Sequence, residues 1–218
     1  MSTPAIAVTP LPNREKLLRL LASHSFRLGE FKLSSGAISD YYIDCRATTL
    51  HAEGARLVGR VMLDLIHDKK WKPKTIGGMT LGADPIVTSV SIHSAQGIVT
   101  RSPARTKPLD FPDEFYIHGF LVRKAEKQHG TAQRIEGYNK PGASAVIVDD
   151  VCTTGASTIQ AIEAAHAAGF EVVAVVCLVE REEVGGRAAV EKAAGDAPFV
   201  ALFTANEVRE AHMKRQRE

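Results

Sequence analysis

The sequence predicts an α/β protein with a mainly parallel central sheet flanked by helices, and three observations predict it. Segments of strand pattern alternate with segments of helical pattern along most of the chain. Ala143 to Val148 is a continuous apolar run of strand length, the kind that is buried on both faces of a parallel sheet. Val172 to Val179 is a second such run, and it falls well short of a membrane span.

Taken in order, Asn13 can cap a helix whose apolar positions Leu17, Leu18, Leu20 and Leu21 recur at helical spacing. Phe26 to Arg46 reads as extended chain, with Phe31, Tyr41, Tyr42 and Ile43 around a turn at Ser34-Ser35-Gly36. His51 to His67 is an amphipathic helix that buries Ala55, Leu57, Val58, Val61, Met62 and Leu65. Thr75 to Gly78 is a short strand, and Gly82 to Ser94 a helix entered through a glycine-bearing turn. Gln96 to Thr100 and Gly119 to Val122 are read as further strands. Arg101 to His118, with Pro103, Pro108 and Pro112, is a long connection between them. After the strand at Ala143 come a helix over Gly155 to Ala168, a strand over Glu171 to Val179 and a helix over Gly186 to Ala194. Phe199 to Phe203 is the last strand, before a charged C-terminal helix.

A chain of 218 residues with 44% hydrophobic and 24% charged residues suits one domain with a sizeable core. The net charge of +2 is too small to argue for nucleic acid or a membrane surface as a partner. Cys45, Cys152 and Cys177 have neither metal-ligand nor redox-motif spacing and read as reduced thiols. Met1 to Pro12 has no basic stretch followed by an apolar one, so a signal peptide is not expected. A cytoplasmic protein is the expectation.

Two segments carry chemistry. In the first, the strand over Ala143 to Val148 ends on Asp149-Asp150, and Thr153-Thr154-Gly155 leads into a helix. Ligands of open parallel sheets bind beyond the carboxyl ends of strands, where such a loop lies. Its amides and the hydroxyls of Thr153, Thr154 and Ser157 can donate to a phosphate at the helix N-terminus. Two carboxylates beside a phosphate repel it unless they face Mg²⁺ or ribose hydroxyls. A Walker loop would place a lysine after its glycines, and none stands here. The reading is a site for a sugar carrying a phosphate, with metal. A helix cap followed by a turn would also use Asp, Thr and Gly.

The second segment is Arg123-Lys124-Ala125-Glu126-Lys127-Gln128-His129-Gly130. As a charge run it can be a solvated surface. It also suits a polyanion, because cations closing over a departing pyrophosphate would favour its transition state and exclude water.

Val146 to Ser157 resembles the phosphoribosyl pyrophosphate signature of the type I phosphoribosyltransferases. The spacing Arg-Lys-x-x-Lys-x-His-Gly is similar to the catalytic loop of the orotate phosphoribosyltransferases, and purine enzymes of the group lack it. Phe31 to Gly36 with Tyr41 to Asp44 resembles that family's N-terminal hood, and Gly77 to Pro85 its loop carrying a non-proline cis peptide. The resemblance spans Phe31 to Glu183.

It implies the type I phosphoribosyltransferase fold in a single domain over 1–218, with hood elements at about 13–46 and a core from about 47. It also implies transfer of a phosphoribosyl group to orotate, giving orotidine 5′-monophosphate in pyrimidine biosynthesis, with Mg²⁺. Asp149 and Asp150 would face the ribose hydroxyls, and Val151, Cys152, Thr153, Thr154, Gly155, Ala156 and Ser157 would cradle the 5′-phosphate. Arg123, Lys124, Lys127 and His129 would contact the diphosphate, Lys127 as the main electrostatic catalyst and His129 as an assisting donor. Arg181, with Thr153, Tyr41 and Tyr42, would take the base, since an arginine can pair bidentately with orotate's carboxylate. Its alternative is an ion pair with Glu182 or Glu183. The family's loop works across a homodimer, so segment 123–130 would complete the neighbour's site. Some members carry lysines where Ser34, Ala37 and Leu81 stand, and this chain has none. Arg101, Arg105 and Lys107 lie in a connection longer than the family's and read as solvated, the alternative being contact with substrate or the dimer partner. Two other readings are a transferase for another base and a non-catalytic sensor of phosphoribosyl pyrophosphate.

Overall fold

A computed structural model describes residues 12–32, 38–101, 116–124 and 134–217. Helix α1 (Asn13–Leu20) runs into one π-helical turn over Leu21–Ser25. Asn13 is the first helical residue rather than the cap. Pro12 takes the cap position in an extended conformation, and its carbonyl accepts from Lys16 N at 3.1 Å. Strands β1 (Phe26–Lys32) and β2 (Ile38–Ile43) pair antiparallel as a separate hairpin. The turn expected at Ser34-Ser35-Gly36 lies outside the described residues.

A short helix α2 (Arg46–Thr49) precedes α3 (Ala52–Asp68), whose cap is the ring of His51 accepting from Gly54 N at 3.3 Å. Strand β3 (Thr75–Met79) leads to α4 (Asp84–Arg101). Helix α4 overturns the strand expected at Gln96 to Thr100. A short apolar run does not distinguish strand from helix, and no proline interrupts the helix between Ser94 and Arg101. Strand β4 (His118–Val122) pairs with β5 (Ile135–Gly137), an edge strand too short to leave an alternating pattern in the sequence.

Strand β6 (Ser144–Cys152) is longer than its apolar run, because its ladder with β7 (Glu171–Glu180) continues to Cys152 opposite Glu180. Asp149 and Asp150 therefore belong to the strand, not to the loop beyond it. Helix α5 (Ala156–Ala167) links β6 to β7, and α6 (Arg187–Ala194) links β7 to β8 (Phe199–Thr204). Helix α7 (Ala205–Arg215) closes the chain behind a capping box of Thr204 and Glu207.

The main sheet has six strands in the order β5-β4-β3-β6-β7-β8, parallel except for β5. Val146, Val148, Ala174, Val176 and Leu178 share one cluster with residues of α1, α3, α4 and α7. Ala145, Ile147, Val175 and Cys177 share the other with residues of α5 and α6. Leu17, Leu21, Phe26 and Tyr41 join the first cluster, so the N-terminal elements are built onto the same core. From β3 the chain proceeds outward one way and from β6 the other, which makes the cleft between their carboxyl ends a topological switch point. Among the described residues no helix is long and apolar enough to cross a membrane.

Candidate active site

Three strand ends meet at that switch point. After β3 comes a cis peptide between Thr80 and Leu81, where the resemblance expected one, followed by Gly82 and the start of α4. A β-carbon on Gly82 would collide with the Asp150 carboxylate, so glycine lets this turn lie directly on β6. Gly78 likewise leaves no room for a side chain beside the Val148 carbonyl.

The two carboxylates of β6 divide. Asp149 is 5% exposed and turns toward α5. Its Oδ2 accepts from the Thr158 hydroxyl at 2.7 Å and its Oδ1 from Asp150 N at 3.0 Å. Burial pushes its acid up to about 7, against the Thr158 hydrogen bond and helped by the charge of Asp150. Asp150 is half-buried beside Gly82, and its Oδ1 accepts from Val151 N at 2.9 Å. Its pKa is also raised by burial, opposed by the Val151 amide and the charge of Arg46. Alternation along a strand sends neighbours to opposite faces, so Asp149 turns to Thr158 of α5 while Asp150 lies against the turn at Gly82 on the cleft side.

A raised acid makes stability depend on pH. Asp149 titrates near 3.8 when unfolded and about 7 when folded, so its protonated form favours folding and that contribution is lost as pH rises through 7. Asp149→Asn is expected to gain melting temperature over wild type at pH 8 and to show little difference at pH 4. Thermal melts of both proteins across that range check it, and a difference independent of pH would refute the assignment.

The loop Thr153 to Gly155 turns through Gly155 at φ 79° into α5, with Thr154, Ala156 and Ser157 exposed and Thr153 half-buried. These are the groups expected to cradle a phosphate, and they stand together at a helix N-terminus. Gly186 packs against Thr153 and Thr154 so closely that a β-carbon there would overlap the Thr153 carbonyl. Val151 lies within the strand, and the Cys152 thiol is buried against Cys177 with its pKa lowered by that hydrogen bond. Cys152 thus offers the site its backbone only, and its carbonyl accepts from Arg181 N at 2.8 Å.

At the end of β7, Arg181 is buried beneath the hairpin. Its Nε donates to the Tyr41 hydroxyl at 2.9 Å and to Glu183 Oε1 at 3.0 Å, and its Nη2 to Ser39 Oγ at 3.2 Å. The guanidinium also lies over the Tyr41 ring, 4.5 Å from its centroid. Burial and the Glu183 carboxylate raise the Tyr41 pKa to about 12. A cavity of about 730 Å³ is lined here by Ser39, Tyr41, Arg181, Glu183 and Val184. Tyr42 is not brought to it: alternation along β2 leaves Tyr42 on the exposed face against Phe31, ring centroids 5.5 Å apart. Arg181 therefore has the ion pair with Glu183 that its alternative named, with the guanidinium buried and the carboxylate half-exposed.

Arg123 and Lys124 follow β4, two strand spacings or about 10 Å from β6 and at the same end of the sheet. Arg123 N donates to Arg134 O at 2.8 Å and Arg123 Nη1 pairs with Glu136 at 3.2 Å, so the two stems of this segment stand side by side. Lys127 and His129 lie outside the described residues, as do Ser34, Ala37, Arg105 and Lys107.

Two residues were not anticipated. Arg46 grips Asp44 through Nε at 2.8 Å and Nη2 at 2.9 Å and lowers the cost of charge on Asp150, and Asp44-x-Arg46 directly after the tyrosines was the signal for it. Asp84 holds a buried Oδ1 with no hydrogen-bond partner among the described residues. Among those residues no cluster of three or more His, Cys, Asp or Glu side chains could hold a metal. Asp150 and the orphaned Asp84 oxygen are each the kind of hard oxygen donor that Mg²⁺ takes, its other ligands being water and substrate oxygens.

The model of the phosphoribosyl transferase domain matches residues 48–194. An orotate phosphoribosyltransferase of Rhodopirellula baltica is 39% identical over 180 residues, 81% of this chain and 85% of that protein. The crystal structure of the Mycobacterium tuberculosis H37Rv orotate phosphoribosyltransferase with Fe(III) dicitrate superposes with a TM-score of 0.70 at 34% identity, covering 90% of this chain and 99% of that one. Its complex with 5-phospho-α-D-ribosyl 1-diphosphate superposes with a TM-score of 0.66 at 31% identity, over 91% and 99% of the two chains.

Proposed function

The chain belongs to the orotate phosphoribosyltransferases of the phosphoribosyl transferase domain family, and from that premise we propose how its own residues move a phosphoribosyl group to orotate. The observation that carries the proposal is the switch point, where the Asp150-to-Gly155 stretch and the buried Arg181 share one backbone hydrogen bond. A donor with a phosphate at one end and an acceptor with a carboxylate at the other require that adjacency.

The amides and hydroxyls of Thr153, Thr154 and Ser157 hold the 5′-phosphate at the head of α5. Asp150 accepts from the ribose hydroxyls, while Asp149 anchors the end of β6 to Thr158. Arg181 takes the carboxylate of orotate and so turns a ring nitrogen toward the anomeric carbon. That nitrogen displaces diphosphate with inversion, and no protein nucleophile takes part. Arg123, Lys124, Lys127 and His129 neutralise the charge that gathers on the departing diphosphate. Asp150 and Asp84 would be the residues to hold Mg²⁺, which would supply charge neutralisation for the leaving diphosphate.

The working unit is a homodimer whose segment 123–130 serves the neighbouring site. Its support is the exposed apolar set Leu50, Leu81 and Ile92, which lines a cleft of about 1420 Å³ with Asp44, Arg46 and Asp84 beside the switch point. The buried free thiols Cys45, Cys152 and Cys177 suit the reducing cytoplasm. The test is a steady-state assay with orotate, phosphoribosyl pyrophosphate and Mg²⁺. Orotate absorbance is expected to fall, with uracil and purines unreacted. Turnover of another base with orotate untouched would reassign the acceptor, and turnover of none would leave a sensor.

A further inference from the structure

Arg181 and Glu183 differ in how firmly they are held. Arg181 keeps 8% of its side chain exposed and Glu183 keeps 51%. The guanidinium is fixed by Ser39, by the Tyr41 hydroxyl and ring, and through its own backbone amide by Cys152. Glu183 sits in a one-turn 3-10 helix, Glu182–Val184, none of whose residues is buried, ahead of Gly185 at φ 79°. Its Oε1 accepts from both Arg181 and Tyr41. A buried guanidinium without an anion is costly, whereas a half-solvated carboxylate gives up a contact at little cost. One partner is fixed and the other is exchangeable.

We infer that Glu183 is a resident counter-ion of Arg181 that the carboxylate of the incoming base displaces, so that the strength of this pairing sets the affinity for acidic bases. The inference rests on the reading of Arg181 as the acceptor's partner. An acidic base replaces one carboxylate by another and leaves the buried charge balanced. A neutral pyrimidine cannot displace Glu183 and binds with the Arg181–Glu183 pair intact, so the competition weighs on acidic bases alone. Burial alone would raise the Glu183 pKa, but the Tyr41 and Arg181 hydrogen bonds outweigh it and hold it below the usual range, so the latch is ionised at neutral pH.

Calorimetry with orotidine 5′-monophosphate and with uridine 5′-monophosphate tests this, because the two nucleotides differ only in the carboxylate. Glu183→Gln and Glu183→Ala remove the competitor without touching Arg181. Both are expected to bind orotidine 5′-monophosphate about tenfold tighter, the factor that about 1.4 kcal/mol of removed competition supplies, and uridine 5′-monophosphate within about twofold of wild type. A residue that merely shaped the pocket would weaken both nucleotides. Unchanged or weaker binding of orotidine 5′-monophosphate in the two variants overturns the inference while leaving the orotate reading in place. Unchanged affinity for orotidine 5′-monophosphate in Arg181→Met would remove Arg181 as the carboxylate's partner and overturn both.

Discussion

Lys127→Ala is expected to lower kcat on the order of 10²–10³-fold, the usual cost of removing one preorganised group that meets developing charge. Affinity for orotate should change by less than about twofold, since the loss falls on the transition state and not on ground-state binding. The diphosphate gains charge as its bond to the anomeric carbon breaks, and a lysine meets it as a point charge. The stems at Arg123 and Arg134 root this segment at the carboxyl end of the sheet, the end that carries Asp150. Stopped-flow turnover with equilibrium binding of orotate separates the two effects, and unchanged kcat would remove Lys127 from the chemistry. Mixing Lys127→Ala with Asp150→Asn tests the dimer. Random reassortment of a two-fold dimer should restore about a quarter of wild-type activity, because half the sites of each mixed pair are intact. Subunit exchange without recovery would place the segment over its own site.

The second large effect is on stability. Glu180 has 3% of its side chain exposed at the end of β7, and both its oxygens accept from Arg187, Oε1 from Nε at 2.9 Å. Arg187→Met keeps the aliphatic stem over Phe199 but leaves a buried carboxylate without its cation. Breaking a buried pair costs about 3–5 kcal/mol, and the lower end applies because Arg187 is 41% exposed and water screens its side of the pair. For a chain of this length about 3 kcal/mol lowers the melting temperature by roughly 6–12 °C. The double variant Glu180→Gln, Arg187→Met should recover most of the loss, which a double-mutant cycle measures. A melt within about 1 °C of wild type would show that the pair is not needed. Function should follow, because residues 181–186 lie between the paired positions and carry both Arg181 and the close contact of Gly186 with Thr153.

Much of the fold was legible in the chain itself. Parallel strands buried on both faces must be continuous apolar runs, so β6 and β7 were plain in Ala143 to Val148 and Val172 to Val179. The residues proposed to cradle the phosphate are contiguous, which is why Asp149 to Ser157 could be read as one site without coordinates. The errors came where local pattern is ambiguous. Gln96 to Thr100 carries apolar residues that serve helix or strand equally, and β5 is three residues long. The end of β6 was misplaced because hydrogen bonding to β7, not hydrophobicity, decides how far a ladder runs.

By itself, then, the sequence determined the α/β class, the loop from β6 into α5 and the family. Each of these is written in neighbouring residues, whose spacing survives without a structure. The tertiary structure decided which carboxylate faces the cleft, which tyrosine meets Arg181, and that Glu183 already occupies that arginine. Those outcomes depend on the phase of a strand and on contacts across 140 or more positions of chain, such as Tyr41 to Arg181, and only folding brings such groups together.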